Sequence, residues 1–230
     1  MGNNGSGYAK RRSLDAIQDN FRSVEEVTTV TKSNEWTGKR SFQGKCLHAV
    51  NVAGVYSNPY EDVIQSIGET LQQLDDDDVI PVYGFGDRAT GDSAVFSFSR
   101  DASQEGFALK AIRNRYRELV PQIHLAGPTS FAPVIHEAIN IVSKTRQFHI
   151  LLIIADGQVT RPSDTPRNDF SKNERETIEA IKLASHFPLS IVTVGVGDGP
   201  WGTMETFDDH IRGRKFDNFQ FVDFTSSIKR

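Results

Sequence analysis

The sequence contains very little cysteine and no long apolar run. Cys46 is the single cysteine among 230 residues. One thiol cannot form an internal disulfide, and it excludes every zinc site that needs several thiolates. No stretch approaches the roughly 18 apolar residues of a membrane-spanning helix, and the first residues lack the apolar core of a secretory signal peptide. Because disulfides are rare in reducing compartments, we expect an intracellular, cytoplasmic protein.

The sequence also lacks a strong excess of charge and any recognisable catalytic motif. The net charge is −4, whereas nucleic-acid-binding proteins usually carry a basic face, so we expect no nucleic-acid partner. No histidines have HExxH spacing and no G-x-S-x-G is present, so no catalytic residue is assigned. The hydrophobic content of 37% is typical of a globular protein.

The first residues carry a possible lipidation signal. Gly2 is followed four positions later by serine, which matches the N-myristoylation pattern. One acyl chain binds membranes weakly, and a nearby basic cluster is the usual second signal. That cluster would be Lys10, Arg11 and Arg12, on an anionic membrane. The alternative is an unmodified polar leader, and both interpretations stay open.

Residues 1–12 are small, polar and basic, which predicts a disordered leader, and residues 13–230 are predicted to form one domain. Helical and strand patterns alternate along that domain. They predict a doubly wound, mostly parallel α/β sheet flanked by helices. The principal predicted helices are Ser13 to about Val27, Asn58 to Leu74, Phe107 to Val120, Phe131 to Arg146 and Glu174 to His186; the predicted strands are Val79–Phe85, Ala94–Ser99, Phe148–Ala155, Leu189–Val196 and Phe219–Phe224.

In open α/β sheets, ligands bind beyond the carboxyl ends of the strands. Several polar residues are predicted to lie at these ends or in nearby loops. Asp156 follows a buried strand, Thr129 precedes a helix, and Thr31 and Ser33 lie in an earlier loop. Oxygen ligands of this kind suit Mg²⁺ or another hard divalent cation. Taken singly, Asp156 is more simply a turn residue and Thr129 a helix cap.

Several longer motifs then identify a family resemblance. The segments Thr31–Gly38 (TKSNEWTG), Gly127–Pro133 (GPTSFAP), Ile154–Thr160 (IADGQVT) and Gly195–Trp201 (GVGDGPW) resemble signatures of the copine domain. The sequences of these motifs are most similar to those of the copine-like domain of the RING domain ubiquitin ligases of plants, and the resemblance covers roughly residues 13–228. This resemblance implies a von Willebrand factor A fold, which is related to the Rossmann fold, with a metal-ion-dependent adhesion site.

The resemblance also implies roles for individual residues. Thr31 and Ser33 match the hydroxyls of the first metal-binding loop, Thr129 matches the second loop and Asp156 the third. In such sites a carboxylate of a protein partner completes the coordination. The leading aspartate of the first loop is replaced by Thr29, which carries no charge. We therefore expect a degenerate site with weak or absent metal binding.

The spacing before this loop is unusually short. If the first helix extends to about Val27, only a few residues remain before Thr31. The family places a full buried strand there, so we expect the first central strand to be shortened or missing, through a natural deletion, a splice form or an error in the gene model.

Two functions follow from the resemblance. The first is a non-catalytic adaptor that binds proteins at the carboxyl edge of the sheet, located in the cytoplasm, at the plasma membrane or in the nucleus. The alternative is a component or truncated isoform of a RING-type E3 ubiquitin ligase, acting in protein ubiquitination. A RING needs a cluster of cysteines and histidines, which a sequence with one cysteine cannot supply.

Overall fold

The computed structural model describes residues 25–31, 42, 46–50, 56–71, 78–99, 101, 104–124 and 128–228. Within these ranges the chain forms a six-stranded sheet of order β3-β2-β1-β4-β5-β6. All neighbouring strands are parallel except the edge pair β2–β3, which is antiparallel. The strands are β1 (Glu25–Thr31), β2 (Val82–Phe85), β3 (Phe96–Ser97), β4 (His149–Ala155), β5 (Leu189–Gly195) and β6 (Phe219–Asp223).

Helices connect the strands and cover the sheet. The described helices are α1 (Pro59–Leu71), α2 (Leu109–Leu119), α3 (Ala132–Thr145), α4 (Lys172–Ala184), α5 (Gly202–His210) and α6 (Phe224–Ile228), with a short 3₁₀ turn at Val120–Gln122. Helix α1 begins at a proline, which suits a first turn because its missing N–H would be unpaired there anyway. Within the described part of the chain, no helix is both long and apolar enough to span a bilayer.

Two hydrophobic cores lie on opposite faces of the sheet. Helices α3, α4 and α5 cover one face, where Leu151, Ile153 and Phe207 are buried. Helices α1 and α2 cover the other face, against Leu152 and Ile154. Because successive side chains of a strand point to opposite faces, β4 supplies both cores and every one of its residues is buried. The predicted doubly wound sheet is confirmed.

The prediction of a shortened or missing first strand is wrong. β1 has seven residues, as do β4 and β5. It lies in the middle of the sheet, with Glu25 opposite His149 and Thr31 opposite Phe85. The error came from extending a helix to about Val27. Residues 25–27 belong to the strand, where they pair with the first three residues of β4, and the β-branched residues that follow them favour sheet pairing. The remainder of that predicted helix lies outside the described residues.

Two other expectations need correction near the C-terminus. Phe224 was predicted to end a strand, but it begins α6. Helix α5 was not predicted at all, although it follows the glycine-rich segment by only a few residues. Its inward face has only two fully buried side chains, Met204 and Phe207, so its apolar pattern is weak. The leader, with Gly2 and its basic cluster, lies outside the described residues.

Candidate functional site

The candidate site lies at the carboxyl edge of the sheet, where the parallel strands end. Asp156 directly follows β4, and its side chain is fully buried. The amide of Val196 donates a hydrogen bond of 2.8 Å to the carbonyl of Ala155, so the ends of β4 and β5 are fastened together. Asp156 is therefore held in a rigid part of the molecule, at the place where ligands of open α/β sheets bind.

The loop that contains Thr129 lies against the loop that follows Asp156. The amide of Thr129 donates a hydrogen bond of 2.7 Å to the Thr160 hydroxyl oxygen. In the opposite direction, the amide of Thr160 donates to the Thr129 carbonyl at 2.9 Å. The next residue, Ser130, is 1% exposed, and its hydroxyl oxygen accepts from the amide of Ala132 at the start of α3. The structure thus fixes Thr129 at the same edge of the sheet as Asp156.

A third loop is joined to these two by Asn173, which is almost fully buried in the first turn of α4. Its amide nitrogen lies 3.3 Å from the Asp92 carboxylate and 3.4 Å from the Thr129 carbonyl. Asp92 belongs to the connection between β2 and β3. One buried side chain therefore links two loops at the carboxyl edge to the start of α4, and the sequence analysis did not identify it.

The first metal-binding loop of the resemblance is only partly described. Thr31 is the last residue of β1 and pairs with Phe85. Thr29 pairs with Tyr83 on one side and with Ile153 on the other. Its position is thus three residues before Asp156 along the neighbouring strand. Ser33 lies outside the described residues.

The described residues fit a divalent cation poorly. Among the four candidate ligands, Asp156 is the single carboxylate. The described part of the chain contains no group of three or more histidine, cysteine, aspartate or glutamate side chains that could hold a metal ion. Ca²⁺ and Mg²⁺ sites in proteins rely on carboxylates together with other oxygen ligands, so one carboxylate and a hydroxyl make a weak donor set.

Glu174 is a carboxylate near the site with three hydrogen-bond donors, and its side chain is only 2% exposed. It accepts hydrogen bonds from the Ser171 amide at 2.6 Å, from Arg161 Nη1 at 2.8 Å and from the Thr203 hydroxyl at 3.3 Å. Ser171 also caps α4 through the Glu174 amide, which completes a capping box. The spacing S-x-x-E in the sequence predicts the cap. The bonds of the Glu174 carboxylate to Arg161 and Thr203 cannot be predicted from the sequence.

A second buried carboxylate, Glu61, joins α1 to α2. It accepts hydrogen bonds from the Asn58 amide at 3.0 Å, from Arg113 Nε at 3.1 Å and from Arg117 Nε. Burial alone would raise the pKa of Glu61, but these hydrogen bonds outweigh it and the pKa lies below its ordinary value. The cluster has the character of a structural ion pair, since each donor belongs to a helix or its cap.

A buried aromatic group lies beside this cluster. His48 stacks on Tyr60 with ring centroids 4.0 Å apart, and its Nδ1 is 2.8 Å from the Tyr116 hydroxyl. Burial raises the pKa of Tyr116 well above its ordinary value, and the negative charges of Glu61 and Asp156 add to that shift.

Comparison with known proteins extends these observations. A family model described as Copine matches residues 46–230. The chain is 51% identical over 238 residues to the E3 ubiquitin-protein ligase RGLG5 of Arabidopsis thaliana, covering 95% of this chain and 54% of that protein. It is 52% identical over 228 residues to RGLG3 of the same plant, covering 91% of this chain and 61% of that protein. The chain thus spans little more than half the length of these relatives.

The match extends beyond plants, and solved structures share the fold. Copine family protein 2 of Caenorhabditis elegans is 44% identical over 196 residues, covering 84% of this chain and 2% of that protein. The SpRpn10 VWA domain superposes with a TM-score of 0.55 at 11% identity, covering 90% of this chain and 94% of that one. A manganese-loaded TRAP protein of Plasmodium vivax gives a TM-score of 0.53 at 12% identity, covering 90% and 71%. At such low identity these two structures establish similarity of fold alone.

Proposed function

The chain belongs to the copine family, and from that membership we propose that it is a non-catalytic protein-binding module that recruits a partner at the carboxyl edge of its sheet. One observation carries the proposal. The loops around Thr129, Thr160 and Asp92 are bonded to one another, partly through the buried Asn173. A surface whose loops are fixed in advance loses little conformational entropy on binding, which favours affinity.

Paired variants on opposite edges of the sheet test this proposal. Pro128 is exposed and directly precedes Thr129 at the carboxyl edge. Leu183 is also exposed, at 44%, but it lies near the end of α4, toward the amino edge. Immobilised wild-type chain, Pro128→Arg and Leu183→Arg would be incubated with extract, and bound proteins would be quantified by mass spectrometry.

We expect Pro128→Arg to lose a specific set of bound proteins that Leu183→Arg retains. Both variants add an arginine at an exposed position, so non-specific effects of charge are matched. If no bound protein distinguishes the two variants, or if only Leu183→Arg loses proteins, the carboxyl edge is not the binding surface and the proposal fails.

The proposal includes a weak or absent metal site. The Plasmodium vivax protein of similar fold is manganese-loaded, so the fold is compatible with a divalent cation. In this chain threonine stands at position 29, and Asp156 supplies the one carboxylate of the candidate set. We propose that partner binding does not depend on a divalent cation. The same capture experiment in EDTA and in Mg²⁺ should give equal binding; a partner captured only with Mg²⁺ would contradict this part.

A second function is supported by the relatives. Two proteins more than 50% identical to this chain are E3 ubiquitin-protein ligases, and we propose that the chain acts in the same process as the partner-binding part of a ligase. These 230 residues contain one cysteine, too few for a zinc-binding RING. Purified chain with activating enzyme, conjugating enzyme and ubiquitin should therefore form no ubiquitin chains. Ubiquitin transfer without an added ligase would overturn the non-catalytic assignment.

Membrane attachment through the leader is a separate proposal. Gly2 and the basic residues Lys10, Arg11 and Arg12 provide the two signals that stable membrane binding requires. Chain co-expressed with an N-myristoyltransferase should float with anionic vesicles, and Gly2→Ala should not. Equal flotation of both proteins would refute a role for myristate.

A further inference from the structure

We infer that a cleft at the carboxyl edge of the sheet binds an anionic side chain of the partner polypeptide through Arg161 and Arg167. This inference rests on the proposed function and names the chemistry of its partner. The shared ligand chemistry is an anionic group, either a carboxylate or a phosphorylated side chain.

The cleft lies between the loop that follows β4 and the first turns of α5. It encloses about 430 Å³. Its position at the carboxyl edge is fixed by a hydrogen bond of 3.1 Å, which the Thr203 amide in α5 donates to the side-chain oxygen of Gln158, two residues after Asp156. The residues that line it include Arg161, Arg167, Phe170 and Thr203.

Arg161 is held in place by the protein rather than by solvent. Nη1 donates to the Glu174 carboxylate at 2.8 Å, and Nη2 donates to the Pro166 carbonyl at 2.6 Å. The side chain remains 25% exposed. A guanidinium has five N–H donors and no acceptor. An arginine fixed by two bonds can therefore offer its remaining donors to a ligand without losing much rotamer entropy.

The acidic groups in the cleft wall already have partners. Glu174 is bonded to Arg161, to the Ser171 amide and to the Thr203 hydroxyl. Asp169 accepts from the Phe170 amide at 2.8 Å and forms a 3.0 Å ion pair with Arg175. These bonds reduce the repulsion that either carboxylate would exert on an incoming anion.

Arg167 is the cation of the cleft that these ion pairs do not include. Its side chain lines the cleft, and the residue is exposed. Among the residues that the structure describes, it belongs to no ion pair. An incoming carboxylate or phosphate would thus meet one fixed guanidinium, at Arg161, and one unpaired guanidinium, at Arg167. Charge-assisted and bidentate hydrogen bonds of this kind are the strongest that arginine makes.

An aromatic wall completes the cleft and indicates a polypeptide rather than a free anion. Phe170 lines the cleft and is 39% exposed. Aromatic residues, phenylalanine included, and arginine are both enriched in protein–protein interfaces relative to the rest of the surface. The partner is therefore expected to present an acidic residue next to an apolar one.

Short labelled peptides provide the test. Three peptides would share one apolar residue and differ in its neighbours, which are glutamate, phosphoserine or lysine. Binding would be measured by fluorescence anisotropy in EDTA and, separately, in Mg²⁺, with wild-type chain, Arg167→Glu and Arg212→Glu. Arg212 is also exposed, but it lies in the connection from α5 to β6, toward the amino edge, so it is a matched control.

We expect the glutamate or the phosphoserine peptide to bind in EDTA, and the one that binds more tightly identifies the source of the anion. Arg167→Glu should weaken that binding about tenfold or more, since a hydrogen bond between charged groups contributes about 1.5–3 kcal/mol. Arg212→Glu should leave it nearly unchanged. The matching circular dichroism spectra of both variants would show that neither has unfolded.

Three results would overturn the inference: equal loss of binding in both arginine variants, preference for the lysine peptide, or binding that requires Mg²⁺. The proposed function can be judged separately. If a captured partner is lost by Pro128→Arg but kept by Arg167→Glu, the carboxyl edge binds proteins and the arginine cleft does not take part.

Discussion

Replacing Glu174 by glutamine should destabilise the chain strongly while changing its shape very little. The Glu174 side chain is 2% exposed and accepts hydrogen bonds from an amide, an arginine and a hydroxyl. The Arg161 guanidinium and the Ser171 amide both donate to Oε2, and the Thr203 hydroxyl donates to Oε1. Glutamine can keep one oxygen at the place of Oε2, but it loses the negative charge that pairs with Arg161, and its NH₂ group then faces the Thr203 hydroxyl.

The magnitude follows from the burial of the pair. Removing one partner of a buried ion pair costs about 3–5 kcal/mol. Arg161 is 25% exposed, so part of its charge can be solvated after the substitution. Glutamine also keeps one acceptor. We therefore expect the free energy of unfolding to fall by about 2–3 kcal/mol, since a hydrogen bond to a charged group contributes about 1.5–3 kcal/mol.

The control variant is Glu179→Gln on the same helix. Glu179 is 70% exposed and pairs with Lys182 at 2.8 Å, and such a surface pair contributes about 0.2–1 kcal/mol. Urea unfolding followed by circular dichroism should shift the midpoint of Glu174→Gln down by roughly 1 M, and that of Glu179→Gln hardly at all. Equal midpoints for Glu174→Gln and wild type would refute the reasoning about Glu174.

Further predictions concern stability and metal binding. The pKa of Glu61 is lowered on folding, so its stabilising effect is complete above the ordinary value of 4.5 and is lost as pH falls below that value. In urea titrations, the unfolding free energy of wild type should therefore fall more between neutral and acidic pH than that of Glu61→Gln. Gly106→Ala should cost about 1–3 kcal/mol, since its Cβ would lie 2.6 Å from the backbone of Ile80, whereas Gly202→Ala, with nothing within 4 Å, should be nearly neutral by thermal unfolding. Thr29→Asp should not create a tight Mg²⁺ site in calorimetry, because position 29 pairs with Ile153 and not with the end of β4.

The buried parallel strands and most helices could be predicted from the sequence because their patterns are long and strong. β4 is apolar after its first residue, His149, and all of its residues are buried, as expected of a strand covered on both faces. β1 could not be predicted in the same way. Its sequence EEVTTVT is polar and short of apolar residues, and Val24 and Val27 continue the helical spacing of the residues before them. Pairing with β4 decides the structure of this segment, and that pairing is long-range.

The candidate site shows a similar division. The positions of Asp156 and Thr129 at the carboxyl edge follow from their places after a strand and before a helix. The contacts that fix the edge do not follow, since Asn173 reaches Asp92 across 81 positions of the chain and Arg161 reaches Glu174 across 13. Local spacing identifies a cap such as Ser171, but the other partners of a buried carboxylate depend on the tertiary fold.

The central claim is that this copine-family chain binds its partner without a tight divalent cation. Titration of Mg²⁺ into purified chain by isothermal calorimetry tests it most directly, with EDTA-treated protein and an Asp156→Asn variant as the reference. We expect no saturable Mg²⁺ binding in the micromolar range for the wild type or for Asp156→Asn. Saturable micromolar binding to wild type that Asp156→Asn abolishes would contradict it.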